Sequence, residues 1–298
     1  MLPVLLLYAS LVNDVRTFIA RHDPAAAERA ARTYLADRGA TPELAAALSW
    51  LARGALAAGQ IPLAESYAAE SRNMGLKLLG SAKLDADPWL PTALGASIEV
   101  HAQVLAAQGK RTEAVAFLRE QLRTFGATSL VERIHKNINL LTLEGSPAPP
   151  LEESEWLGPK PPPLKSLRGR PVLLFFWAHW CPDCKAEAPI LAKVKKTFAP
   201  QGLVLIGPTK LYGYVAGGEE AAPEIEKRYI DQVRRQYYSV LSDMPAPLSS
   251  ASFSLYGSSS TPTLVLIDSL GIVRYYHPGA VSETELNAAI GSVLKIKP

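Results

Sequence analysis

Cysteine is almost missing from this chain: 298 residues carry two, Cys181 and Cys184. That excludes a disulfide framework, and it excludes a C-x-x-C…C-x-x-C zinc site, which needs four ligands. Histidine is also scarce, with five scattered residues and no metal-ligand spacing. Neither G-x-x-x-x-G-K-[ST] nor G-x-G-x-x-G occurs, so nothing supports a nucleotide site. One-sided charge is lacking too: a net charge of +3 is too small to argue for a nucleic-acid partner. No apolar run reaches the ~20 residues that cross a bilayer as a helix. The stretch Leu2-Pro-Val-Leu-Leu-Leu-Tyr8 lacks a basic leader, and Tyr8-Ala-Ser-Leu-Val is a poor cleavage site. Pro3 to Ala20 is therefore expected to be the first helix of a domain, with the remains of an export signal as the open alternative.

What the chain does have is ample core, with 48% hydrophobic and 20% charged residues over a length that suits about two domains. Residues 1–145 are rich in Ala, Leu, Arg and Glu and are expected to be all-helical. Thr41-Pro42-Glu43 reads as a helix start: a capping hydroxyl, proline at the first helical position, and an acid at the positive dipole end. That helix runs through Trp50 and breaks at Gly59, and Ile61-Pro62 restarts the chain with Ala64, Tyr67, Ala68 and Ser71 on one face. The layout returns at a constant offset: Gly59 matches Gly109, Ala64 matches Ala114, and Ala68 matches Leu118. A looser copy begins at Asp23-Pro24. The pattern resembles tetratricopeptide-like helical hairpins, in which small residues let paired helices approach closely. It departs from their period of about 34 residues, with 74–91 as an insertion. A plain helical bundle is the alternative, and either could form a partner-binding surface.

Residues 146–165, with Pro147-Ala-Pro-Pro150 and Pro159-Lys-Pro-Pro-Pro163, are expected to be a semi-rigid linker. From 166 to 298 the pattern becomes α/β. Strand-like runs fall at Val172–Trp177, Leu203–Ile206, Thr263–Asp268 and Ile272–Tyr276. Helical runs fall at about 182–197, 222–240 and 282–294. Asp268-Ser-Leu-Gly271 reads as a tight turn with Gly271 in the strained position, and Ser282-Glu-Thr-Glu285 as a capping box. The order β-α-β-α-β-β-α predicts a mixed sheet with helices on both faces.

Both cysteines lie where the first of these strands meets a helix, in Phe175-Phe-Trp-Ala-His-Trp-Cys-Pro-Asp-Cys184. Two intervening residues let the sulfurs meet across one helical turn. The helix start aims unpaired N–H groups and partial positive charge at the first sulfur, which favours the nucleophilic thiolate. Asp183 opposes that field and is expected to make the pair more reducing. His179 is expected to be solvent-exposed. The Gly- and Tyr-rich residues 208–222 read as either a substrate-shaping or a mobile surface loop.

The run from Leu167 to Pro189, with Trp-Ala-His-Trp-Cys-Pro-Asp-Cys at its centre, resembles the thioredoxin superfamily, and within it the TlpA/ResA-like (redoxin) thiol-disulfide oxidoreductases. Leu255-Tyr-Gly-Ser-Ser-Ser-Thr-Pro-Thr263 fits the same family. The resemblance covers about residues 150–298, implies a thioredoxin-like fold there and says nothing of residues 1–145. Joined to the helical pattern of 1–145, the expectation is a two-domain protein: a helical-hairpin domain, then a thioredoxin-like domain with a mixed central sheet. The resemblance implies that Cys181 is the exposed attacking thiolate and Cys184 the more buried resolving thiol. It also places a cis-proline at Pro262 facing the pair, with Thr261 offering backbone hydrogen bonds to a substrate chain. Trp180 would cover the disulfide. Glu187 would exchange a proton with the resolving thiol, because Phe175 occupies the strand position where thioredoxin itself has a buried acid. Pro189 would kink the helix.

The resulting expectation is reduction of protein disulfides through a Cys181–Cys184 cycle with no bound cofactor or metal. The partners would be protein disulfide or dithiol clients and an upstream dithiol donor. The resemblance points to action outside the cytoplasm of a bacterium, with a cytoplasmic setting as the alternative. A redox-regulated binding scaffold is the competing class. A peroxiredoxin-like peroxidase fits less well, since W-A-H-W-C-P-D-C is not the P-x-x-x-[TS]-x-x-C setting.

Overall fold

A computed structural model describes residues 10–294 and divides the chain into two compact units, up to Asn137 and from Ile138 onward. The first unit is helical. Helices α1 (Leu11–Ala20), α2 (Pro24–Arg38), α3 (Pro42–Ala57), α4 (Ile61–Leu79), α5 (Leu90–Ala107) and α6 (Arg111–Phe125) lie within it, and α7 (Val131–Thr142) straddles the division. The expected first helix is observed only from Leu11, since residues 1–9 lie outside the described part. The caps agree with the sequence: Leu44 N–H donates to Thr41 Oγ1, and Ala26 N–H donates to Asp23 Oδ1. Gly59 and Gly109 end their helices with positive φ, +72° and +78°, which glycine adopts without steric cost. Ala64, Ala68 and Ala114 are fully buried, so small side chains do sit where the helices approach closely.

The second unit holds β1 (Trp156–Leu157), β2 (Val172–Phe176), α8 (Pro182–Phe198), β3 (Val204–Ile206), α9 (Pro223–Tyr237), β4 (Ala246–Pro247), α10 (Ser250–Tyr256), β5 (Thr263–Ile267), β6 (Val273–Pro278) and α11 (Glu283–Leu294). The main sheet is mixed, in the order β3-β2-β5-β6, with β2 parallel to β3 and antiparallel to β5. Strand alternation divides β2 between two cores. Leu173 and Phe175 face α8, α9 and α11, while Val172, Leu174 and Phe176 face Phe253 and Tyr256 of α10. Helix α10 and the small β1–β4 pair have no counterpart in the sequence expectation, because each is too short to show a period.

The proline-rich stretch belongs to this second unit and does not hang free. Gly145 N–H donates to Val273 O, Val273 N–H to Ser146 O, and Ala148 N–H to Gly271 O. Tyr256 donates its hydroxyl to Pro149 O. Proline removes donors but keeps its carbonyl, so the segment can still be stitched down through its other residues. Gly271 takes φ +74° at the β5–β6 turn, as the sequence predicts. Ser282 accepts from Glu285 N–H, but the Glu285 carboxylate takes the Tyr275 hydroxyl and does not close the box.

Phe176 packs edge-on to Phe253 at 5.3 Å and against Tyr256 at 5.0 Å in the fully buried second core. Phe176→Ala is expected to lower unfolding free energy by about 3–5 kcal/mol, measured by urea denaturation.

Candidate redox-active site

Strand β2 delivers the chain to the site at Trp177. The indole N–H donates to Gly207 O at 2.9 Å, and Thr209 Oγ1 donates to Trp177 O at 2.9 Å. Both residues are buried, so the end of the strand is fixed from inside. A tight turn comes next, closed by Cys181 N–H donating to Ala178 O, with His179 and Trp180 at its corners. Pro182 then opens α8, at the first helical position where a missing N–H costs nothing.

Cys181 is the N-cap of α8, and its sulfur accepts from Cys184 N–H at 3.0 Å. The two cysteines form a disulfide with Cα atoms 5.3 Å apart. The Thr261–Pro262 peptide is cis, and Thr261 O lies 3.3 Å from Cys181 Sγ. Residues 80 positions apart in sequence are thus brought to one point: Cys181, Cys184, Thr261 and Pro262. An anionic sulfur at this place would receive an N–H donor and the positive end of the helix dipole.

Two expected exposures are overturned. Cys181 is only 1% exposed, because its sulfur is tied inward to Cys184 and faced by the Thr261 carbonyl; the exposed surface here belongs to Trp180, Pro182 and Asp183. His179 is likewise 1% exposed, and the solvent-facing corner of the turn is Trp180 at 46%. Trp180 meets Tyr212 edge-on at 5.5 Å.

Glu187 sits three residues beyond Cys184 on α8 and is 2% exposed. Its Oε1 accepts Val281 N–H at 2.7 Å, while Oε2 has no hydrogen-bond partner in the chain. Burial pushes the carboxyl above the ordinary glutamate range, and the Val281 N–H and His277 pull it back only in part. The 277–281 turn serves both sides of the site, since Gly279 N–H donates to Pro262 O at 2.7 Å. Phe175, where no acid is present, packs against Tyr238. Pro189 lies inside α8, as expected.

Sequence reasoning missed Glu226. This fully buried acid of α9 accepts Tyr212 N–H at 2.6 Å through Oε1 and Gly213 N–H at 2.8 Å through Oε2. His179 Nε2 stands 3.4 Å from Oε1 without the alignment of a hydrogen bond. The imidazole is walled by Tyr212, Tyr214 and Tyr229, all edge-on at 5.4–5.6 Å. Burial pushes its pKa below the ordinary histidine value, against the opposing pull of Glu226. The tyrosine-rich composition of 212–214 was the one available signal. Among the described residues no group of His, Cys, Asp and Glu is arranged to hold a metal ion.

A four-stranded mixed sheet, a helix capped by the first cysteine of C-x-x-C, and a cis-proline facing the pair define a thioredoxin-like dithiol/disulfide protein. The sequence profile of the AhpC/TSA family matches residues 145–276. The thiol:disulfide interchange protein DsbE of Pasteurella multocida is 30% identical over 146 residues, covering 44% of this chain and 71% of that protein. The chain belongs to this family of thiol:disulfide interchange proteins. The DsbE of Xylella fastidiosa is 33% identical over 118 residues, 39% of this chain and 51% of its own, so the chain spans about half the length of that relative. A thiol-disulfide isomerase structure from Corynebacterium glutamicum aligns over 50% of this chain and 98% of its own, at 22% identity and a TM-score of 0.40.

A carboxyl whose pKa is higher in the folded chain binds its proton more tightly there, so ionisation on raising the pH costs folding energy. The wild type is therefore expected to gain stability relative to Glu187→Gln as pH falls through the raised pKa to below about 4.3, the unfolded value. Urea titrations of both proteins from pH 4 to 8 check this, and a difference independent of pH would count against it.

Proposed function

We propose that the chain reduces protein disulfides through a Cys181–Cys184 dithiol/disulfide cycle. What supports this reading above all is the single cluster in which the capped Cys181 sulfur, Cys184 and cis-Pro262 converge. Kinship with thiol:disulfide interchange proteins supports it independently.

The Cys181 thiolate attacks one sulfur of a client disulfide, forming a mixed disulfide and releasing the other client sulfur as a thiolate. Cys184 then attacks Cys181 Sγ, the second client sulfur leaves, and the intramolecular disulfide remains. The client gains two electrons and the enzyme pair loses two. Glu187, with one oxygen unpartnered, takes the Cys184 proton as that thiol becomes nucleophilic and returns it on re-reduction. The Thr261 backbone pairs with the client chain, and Trp180 packs on it. A dithiol protein restores the reduced pair, and no bound cofactor or metal is needed. We place this exchange outside the cytoplasm, and assign the helical unit as a surface for a protein partner. Among the described residues no helix is long and apolar enough to cross a membrane.

Cys181→Ser is expected to abolish reduction of insulin disulfides. Cys184→Ser should accumulate a mixed disulfide with the client, visible as a reductant-sensitive adduct on a denaturing gel. Disulfide reduction that persists without Cys181 would sink this reading. Asp183 is exposed beside the pair at the start of α8. Removing its charge should help the thiolate, so Asp183→Asn is expected to raise the reduction potential by roughly 10–20 mV, read against a glutathione buffer.

A further inference from the structure

The reducing reading uses Cys181, Cys184, Glu187 and the cis-proline loop, and leaves one buried pair unexplained. Glu226 is completely buried and His179 almost so, and their polar atoms face each other and the 212–213 backbone rather than the sulfurs. Burying a carboxylate is costly unless its oxygens are hydrogen-bonded. Both Glu226 oxygens are, and by backbone N–H groups of adjacent residues, Tyr212 and Gly213. Such an acid fixes a segment of chain in place.

That segment leads into an excursion over the surface and touches the redox site. Beyond Gly213 the chain runs through exposed residues 216–220 before returning at Ala221, whose N–H donates to Gly213 O. Residues 212–213 are thus the inner anchor of that excursion. Tyr212 stands edge-on to Trp180 at 82°. His179, the neighbour of Trp180 in the same turn, is held in the tyrosine cage against Glu226. Trp180 is therefore braced on its ring by Tyr212, whose backbone N–H is bound by Glu226, and through the chain by His179, which packs beside the same acid, yet its ring remains 46% exposed immediately before Cys181. An exposed aromatic face one residue from the nucleophile offers apolar and edge-to-face contact to whatever flanks the attacked disulfide.

We infer that Glu226 is a positioning residue which, through Tyr212 and His179, holds Trp180 as a fixed aromatic wall, and that this wall selects protein disulfides with an aromatic or large apolar side chain beside the attacked cysteine. This rests on the reductase reading and adds to it a specificity that the cysteines do not encode.

The test uses two symmetric peptide disulfides, identical except for Phe or Ser beside the cysteine, reduced by the full chain. The wild type is expected to favour the Phe peptide in kcat/KM by about tenfold, equivalent to ~1.4 kcal/mol. Glu226→Ala should bring that ratio close to one by raising KM for the Phe peptide, with kcat little changed. Tyr212→Ala removes the contact on Trp180 while leaving the backbone N–H groups for Glu226. It should lower the ratio in the same way, and it carries the test if the Glu226 variant does not fold. The double variant should lose no more than either single one, since both act through one path. A ratio preserved in the variants, additive losses, or parallel loss on both peptides would overturn the inference. So would a wild type that reduces both peptides equally well, an outcome that leaves the reductase reading standing. A wild type that reduces neither peptide, or a Cys181→Ser chain that still reduces both, would instead bring down the reductase reading and this inference with it.

Discussion

One hydrogen bond organises the second unit: Cys184 N–H donating to Cys181 Sγ at the opening of α8. A helix begins with donors that have no partner in the helix, and here a sulfur atom is the cap. The cap works only if strand β2 ends at the right height, which the buried Trp177 and its bonds to Gly207 and Thr209 secure. It works only if nothing bulky covers the sulfur, and what faces it is a backbone carbonyl beside a cis-proline. The two cores on either side of β2 hold these parts at fixed separation.

The site contains two buried acids with opposite allocations. Glu187 has one oxygen bound and one left over, and its pKa is raised. Glu226 has both oxygens committed to backbone N–H groups. An acid with a spare oxygen in a dry place can take up and return a proton; an acid with none left holds a shape. Burial alone does not separate these two arrangements, and the count of hydrogen bonds does.

Much of this was legible in the sequence where local chemistry dominates. Strand β2, the proline-led start of α8 and the Gly271 turn stem from residue types in fixed order, whereas the cis bond at Pro262 was expected only from the family resemblance. The burial of His179 was not legible, because the groups that enclose it come from the loop at Tyr212 and Tyr214 and from Tyr229 and Glu226 of α9, more than thirty residues away, with no spacing signal. Cys181 was expected in solvent because the attacking role demands access; the oxidised pair turns its sulfur inward. Composition misled at residues 146–165, where prolines suggested a spacer. Which carbonyls and N–H groups find partners there depends on a strand more than a hundred residues downstream.

That last segment has a structural consequence of its own. In the order β3-β2-β5-β6, strand β6 is a sheet margin, and margins present rows of unsatisfied donors and acceptors that recruit foreign strands. Gly145, Ser146 and Ala148 occupy those positions at the start of β6, and Pro147 sits opposite Ile272. Because prolines come immediately after, this cover cannot itself extend the sheet by another strand. A fragment cut to begin after Pro150 would keep every residue of the redox site, yet it would bare the backbone groups of Gly271–Val273 that residues 145–148 now cover.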